Sequence, residues 1–187
     1  IHNAVREDEL KIVKFLIEEA KVPVDQRLRG LHASVHFSTP LDMSIADGLV
    51  EISEYLYQQG ASLSAGFDTG KGADLSTFNA FTAIFKGGLQ NRNFDTQIWL
   101  DRALSSGMKP TIESVRRLFR SVASHEEDTK RPEGWAANYV TVLMKHAEFD
   151  KDEFQEIYQE ILEDMDDALD SAPELAEEMI EAFEQFE

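Results

Sequence analysis

The sequence predicts an all-α protein, built as a stack of about four helix pairs and closed by two acidic amphipathic helices. Three observations predict it. A unit of helix, glycine turn, second helix and closing glycine occupies residues 38–64, and a shorter version occupies residues 1–25. Apolar residues recur at three- and four-residue steps through most of the remaining chain, which is the spacing of one helix face. The connecting stretches, such as 66–76, are too rich in glycine to predict long strands.

The stretch 38–64 carries a local signal for most of its helix ends. Thr39 is a good N-cap, and Pro40 suits the first helical position because that position needs no N–H donor. Gly48 and then Gly60 supply the left-handed residue that commonly ends a helix. Because two short helices cannot bury their own apolar face, we expect this unit to pack against a stacked neighbour.

Residues 1–25 form a second unit of the same kind, shifted by 40 positions from the 41–65 stretch. Asp8 stands at the position of Gly48, and aspartate tolerates left-handed backbone better than most residues do. The length between the units predicts an enlarged hairpin loop over residues 26–38, which carries Phe37 among arginines and histidines. The aligned apolar pairs are Ile1 with Leu41, Ile12 with Ile52, and Leu16 with Leu56.

These residues resemble the ankyrin repeat, whose signature is Thr-Pro-Leu-His-x-Ala, two helices and a glycine exit turn, with a period of about 33 residues. Asp42 stands where the signature has histidine and Ser44 where it has alanine, and both side chains are small or able to bond to nearby backbone. The residues that match the signature are Thr39, Pro40, Leu41, Gly48, Gly60 and Ala61.

The resemblance implies an α-solenoid whose concave face and hairpin tips bind a protein. It covers residues 1–65 clearly and residues 77–110 in degenerate form. We add Phe37, because an aromatic side chain on a projecting loop buries much area at low entropic cost. The positions at which ankyrin repeats vary their surface correspond here to Arg6, Glu7, Val35, His36, Ser38, Ala46 and Asp47.

Residues 77–110 are interpreted as a degenerate third pair. Its first helix is predicted to end at Gly87-Gly88, and Ile98 and Trp99 of its second helix are predicted to face the core. A fourth pair follows, in which Val115, Leu118, Phe119 and Val122 face inward. Its outward arginines are expected to pair with the chain's own acidic helices, with anion binding as the alternative; they are Arg116, Arg117 and Arg120.

The last 41 residues, 147–187, form the acidic part of the chain. They hold 17 acidic residues and one lysine, a net charge of −16 out of −18, and the other residues hold 19 acidic and 17 basic ones. Their apolar stripe, from Phe154 to Leu169 and again from Leu175 to Phe186, predicts folded helices rather than a disordered tail. We expect 1–146 to be the repeat stack and 147–187 its helical cap in the same domain.

The composition limits the choice of partner. A strong negative charge argues against nucleic acid and anionic membranes, which both require positive charge, and favours a basic protein. The chain contains no cysteine and no apolar run long enough to span a bilayer, so we expect a cytoplasmic protein. Because the chain starts at Ile1 rather than Met, a removed signal peptide is the alternative. The oligomeric state is left open.

The sequence gives no argument for catalysis. It has neither a cysteine nucleophile nor a Gly-x-Ser-x-Gly elbow, and the glycines near Lys71 lack phosphate-loop spacing. His32 and His36 have a spacing that suits a metal on a helix, but they fall in a loop, so we predict neither metal nor cofactor.

These observations predict a non-enzymatic protein-interaction module. In its sharper form this is an inhibitor or immunity-type protein whose acidic surface masks a basic enzyme. The alternative is a regulatory or binding domain cut from a larger enzyme or receptor.

Overall fold

The computed structural model describes residues 1–27, 39–64, 80–123, 132–147, 152, 154–155, 157–163 and 173–186. Within these residues the chain consists of helices and the turns between them, without a strand. The predicted all-α fold class is confirmed. In the same part of the chain, each helix is too short or too polar to reach across a membrane.

The described helices lie at positions close to those that the sequence predicts. Residues 157–163 are also helical. The labelled helices are α1 (His2–Arg6), α2 (Leu10–Glu18), α3 (Pro40–Ala46), α4 (Val50–Gln58), α5 (Ala80–Gln90), α6 (Thr96–Ser105), α7 (Ile112–Ala123), α8 (Trp135–His146) and α9 (Pro173–Glu184).

The chain forms two compact units, Ile1–Ser106 and Gly107–Glu187. The boundary between them differs from the predicted one at 146/147, which marks a change in charge and stays a prediction. In the first unit, α1 packs against α3 and α3 against α5, while α2 packs against α4. All of α3 is buried, because it is surrounded by α1, α4 and α5.

The turns of the first two helix pairs have the same backbone conformation. Asp8 has φ +54° and Gly48 has φ +65°, so both are left-handed as predicted. Each turn ends its helix with the same two backbone hydrogen bonds. The N–H of Asp8 or Gly48 donates to the carbonyl oxygen three residues earlier, and the N–H of the following residue donates to the carbonyl oxygen five residues before it. This pairing is the Schellman motif, which satisfies carbonyls that a helix end leaves open.

The start of α3 is held by a reciprocal cap. The Thr39 Oγ1 accepts from Asp42 N at 3.2 Å, and the Asp42 Oδ2 accepts from Thr39 N at 3.1 Å. The Ser44 hydroxyl donates to Leu41 O at 2.9 Å and lies 3.0 Å from the Ser53 hydroxyl, which donates to it. The two departures from the ankyrin signature are therefore bonded locally, as expected of these side chains.

The prediction that Gly87-Gly88 ends a helix is wrong, because α5 continues through both glycines to Gln90. The function of Gly87 is to allow a close approach between helices. A Cβ added at Gly87 would collide with the carbonyl oxygen of Ile45 on α3. Glycine therefore marks a helix contact at this position, which local sequence cannot distinguish from a helix end.

Pairs α3–α4 and α5–α6 are joined by Arg102 on α6. Its guanidinium donates to both carboxylate oxygens of Glu54 on α4, at 2.6 and 3.1 Å. The same guanidinium lies 4.5 Å from the ring centroids of both Tyr57 and Trp99. A planar cation can form the ion pair and both aromatic contacts together, so Arg102 fixes how α6 lies against α4.

The second unit has its own aromatic core. Phe119 on α7 contacts Phe183 on α9 edge to face at 5.7 Å, and Phe154 stacks on Phe183 at 4.8 Å. α9 packs against both α7 and α8. The stripe residues Phe154 and Ile161 are buried, so the acidic helices are folded and docked within this unit. The inward face predicted for α7 is also confirmed, and its residues are Val115, Leu118, Phe119 and Val122.

Two isoleucines that the periodicity assigns to the apolar side are exposed. Ile98 on α6 is 45% exposed, so its predicted inward orientation is wrong, whereas Trp99 next to it is buried. Ile12 on α2 is 48% exposed although it shares a stripe with the buried Val13. Helical spacing predicts which side chains share a face, but it does not predict whether another element covers that face.

Candidate functional site

Three predicted site residues lie at the C-terminal ends of the first helices of two successive pairs. Arg6 and Glu7 follow each other at the end of α1, and Asp47 follows α3 directly. All three residues lie at the surface, although the Asp47 carboxyl is partly buried. They point out from a rigid framework because the turn after each is fixed by a left-handed residue, Asp8 or Gly48.

These residues belong to one charged cluster that also includes Lys86 on α5. Partial burial raises the pKa of the Asp47 carboxyl above its usual value, and the positive charges of Lys86 and Arg6 oppose that shift. Because α1 and α5 both pack against α3, Arg6 and Lys86 lie on the two helices that neighbour the helix carrying Asp47 at its end. We call Arg6, Glu7, Asp47 and Lys86 the charged tip cluster.

The α3–α4 turn is held in place by α5. The Asn91 Nδ2 donates to the carbonyl oxygen of Gly48 at 2.8 Å. A Cβ added at Gly48 would lie 2.8 Å from the Gly87 carbonyl oxygen, so only glycine fits between the two helices without a shift. Asp47 is therefore presented from a backbone that packing and hydrogen bonding both fix.

The remaining predicted site residues are not part of this cluster. Ala46 is completely buried on α3, so its side chain does not reach the surface. Val35, His36, Phe37 and Ser38 lie outside the described residues, and their assignment to the site stays a prediction.

A second charged surface lies on α9. Glu174, Glu177, Glu181 and Glu184 are exposed and follow one another at three- or four-residue steps, so they share one helix face. We call these four residues the acidic face of α9. Glu178 lies beside this face and accepts a hydrogen bond from Gly134 N at 2.8 Å, while Glu184 accepts one from the Tyr158 hydroxyl at 2.9 Å. Glu178 and Glu184 thus form hydrogen bonds within the unit, although Glu184 is also exposed as part of the acidic face of α9.

The arginines of α7 were expected to pair with the chain's own acidic helices. The structure confirms this for Arg116, whose Nη1 lies 2.6 Å from the Glu160 Oε2. Both residues belong to the second unit. The bond attaches residues 157–163 to α7, so Arg116 acts in folding.

The described residues contain no group of three or more His, Asp or Glu side chains arranged to hold a metal ion. Of the five histidines, His2 is buried on α1 and His146 is exposed at the end of α8. His32, His36 and His125 lie outside the described residues, so the metal alternative raised by the spacing of the first two stays untested.

Comparisons with protein-family models, with curated proteins and with solved structures found no significant match to this chain.

Sequence reasoning did not find Lys86 or Asn91 as parts of the site. Both lie on or just after α5, and they reach the tip of α3 only because α3 packs on α5. The local sequence does not indicate that they belong to a site, because lysine and asparagine are common residues at the end of a helix. The Gly87-Gly88 pair is the one local feature that indicates this packing, because glycine in a helix allows a close contact with another helix as well as a helix end.

Proposed function

We propose that the protein is a non-enzymatic protein-binding module with an ankyrin-like arrangement of its helix pairs. Its partner in this proposal is a basic protein. In the sharper form, the module is a cytoplasmic inhibitor or immunity-type protein that masks a positively charged surface of an enzyme.

The observation that carries the proposal is the repeated turn of the first two helix pairs. α2 and α4 begin at Leu10 and Val50, 40 residues apart, and the left-handed residues Asp8 and Gly48 have the same spacing. The framework is thus duplicated, while the exposed side chains at its tips differ, with Arg6 and Glu7 on one and Asp47 on the other. A constant framework with variable exposed tips is typical of a repeat protein that binds other proteins.

The charge distribution supports a basic partner. The segment 147–187 carries −16 of the net charge of −18, and the acidic face of α9 is exposed within it. A surface of one sign attracts a partner of the opposite sign over long distances and speeds association at low salt. The charged tip cluster contains both positive and negative side chains, so it is better suited to short-range contacts that distinguish one partner from another.

The experiment that tests the proposal is affinity capture from native lysate, followed by mass spectrometry and by binding kinetics with the purified partner. We expect a basic protein to be captured, and its association rate to fall as salt increases. The triple variant Glu174→Gln, Glu177→Gln and Glu181→Gln should slow association. A matched control removes the same charge elsewhere, through Glu19→Gln, Glu51→Gln and Glu133→Gln.

Two results would contradict the proposal. One is capture of no protein above the level of a mock column. The other is a captured partner that binds both triple variants and wild type at the same rate, because electrostatic attraction to α9 would then have no part in binding.

A further inference from the structure

An open apolar groove lies on one side of the first helix pair. It has a volume of about 490 Å³, and among the described residues its lining comes from positions 1–16. The apolar lining residues are Ile1, Ala4, Ile12 and Leu16, and Glu7 and Glu9 form an acidic rim. Ile12 is 48% exposed in this groove, and Phe15, one helical turn along α2, is 59% exposed.

The second helix pair shows what covers this groove. Residues 40 positions later occupy the same places on α3 and α4, and the equivalents of the four apolar lining residues are all completely buried; they are Leu41, Ser44, Ile52 and Leu56. α3 is packed by α1, and α4 is packed by α2. The same face is covered by helices in the second pair and by none of the described helices in the first, so a helix is an occupant of the right shape.

The interface between α2 and α4 also indicates the charge of the occupant. The Lys14 ammonium lies 5.3 Å from the centroid of the Tyr55 ring, which it faces. Phe15 is the residue equivalent to Tyr55, 40 positions earlier, and its side chain is largely exposed. A lysine or arginine on an incoming helix can make the same contact with Phe15, and Glu7 and Glu9 in the groove lining also favour a basic occupant.

We propose that the groove of the first helix pair binds an amphipathic helix of a protein partner, with an apolar stripe on the groove and basic residues at its edges. This inference rests on the proposed function in that the occupant is a protein. It adds a docking surface that shares Glu7 with the charged tip cluster and contains no residue of α9. A second copy of this chain is a poorer occupant, because each copy carries a net charge of −18.

The test uses a synthetic helical peptide of leucine and lysine as a probe, roughly 18 residues or about five turns long. A leucine and glutamate peptide of the same pattern is the control for charge. Binding to the full chain is measured by calorimetry, for wild type and for two variants. Ile12→Glu places a carboxylate in the groove, and Ile98→Glu places one on α6 at an isoleucine of similar exposure, 45% against 48%.

We expect the lysine peptide to bind wild type and Ile98→Glu equally, and Ile12→Glu about tenfold or more weakly, because a charge would be forced against the apolar stripe. Ile12→Glu makes the protein more negative. Attraction by charge alone therefore predicts unchanged or tighter binding of the lysine peptide, which is the opposite result. Phe15→Ala provides a second variant that removes an exposed side chain, and it should also weaken binding by several-fold.

Three results would overturn the inference. Equal binding by wild type, Ile12→Glu and Phe15→Ala would mean that charge alone attracts the peptide. Equal binding of the glutamate peptide would exclude a basic occupant. A wild-type dimer in sedimentation that Ile12→Glu converts to a monomer would identify a second copy as the occupant. The proposed function is tested separately, by capture of a basic partner. If that partner binds through α9 but the lysine peptide does not bind the groove, the groove is not a docking surface and the proposed function still holds.

Discussion

The first helix pair, α1–α2, and the second, α3–α4, share one backbone pattern but differ in how their apolar side chains are covered. The second pair is packed by α1 and α2 on one side and by α5 on another. Ile52 is completely buried in it, whereas its equivalent, Ile12, is 48% exposed. The difference shows that the pattern of a helix pair specifies its turn and its apolar face, while the neighbouring helices decide whether that face is buried or exposed.

The largest expected effect contrasts these two isoleucines. Ile52→Ala should reduce the free energy of unfolding by about 3 kcal/mol, because it removes buried methyl groups and leaves a cavity. Ile12→Ala should reduce it by less than about 1 kcal/mol, because much of that side chain already contacts water. The measurement is urea denaturation followed by fluorescence of Trp99 in a Trp135→Phe background, so that the signal reports on the first unit.

Equal losses for the two alanine variants would contradict the contrast. That result would mean that Ile12 is covered in solution, and the groove would then not be open.

The next effect contrasts the two left-handed turn residues. Gly48→Ala should cost about 2 kcal/mol, because alanine disfavours the left-handed region and its Cβ would crowd the Gly87 carbonyl. Asp8→Gly should instead stabilise the protein by about 0.5 kcal/mol, since relief of backbone strain exceeds the entropy that glycine adds to the unfolded chain. Both are measured by the same denaturation.

Destabilisation by Asp8→Gly would contradict the expected relief of backbone strain at Asp8. A stabilising Gly48→Ala would in addition exclude the close approach between α3 and α5.

The smallest effect concerns the cap of α3, for which α1 has no counterpart, because the N-cap of α1 is Ile1. Thr39→Ala should cost about 1 kcal/mol, since it removes the acceptor for Asp42 N. Thr39→Ser keeps that acceptor and should remain close to wild type. Thermal unfolding by circular dichroism distinguishes the two, and equal melting temperatures for them would exclude the cap.

Much of the first unit could be predicted because its signals are local. Thr39, Pro40 and Gly48 each act within a few residues of themselves, and all three have the predicted positions in the structure. The local sequence does not reveal why residue 87 must be glycine, because the requirement comes from Ile45, 42 residues earlier in the chain. Helical spacing predicts a buried Ile98 wrongly, because spacing carries no information about whether another element covers that face.

The candidate site was predictable only where it lies beside a turn. Arg6 and Asp47 follow from the position of the repeated turn, and they are exposed as expected. Lys86 joins them through the packing of α5 on α3, and the groove beside Ile12 follows from packing that is lacking on that side among the described residues. Both depend on tertiary contacts, which a single sequence does not specify.

The most direct test of the central claim, that the open face of the first helix pair binds a basic helix, is hydrogen exchange with and without saturating lysine peptide. Without peptide, we expect faster exchange in α2 than in α4, because α2 is less buried. We expect peptide to slow exchange in α1 and α2 and to leave α9 unchanged. Slower exchange in α9 with no change in α1 and α2 would contradict this claim, and would make the acidic face of α9 the binding surface.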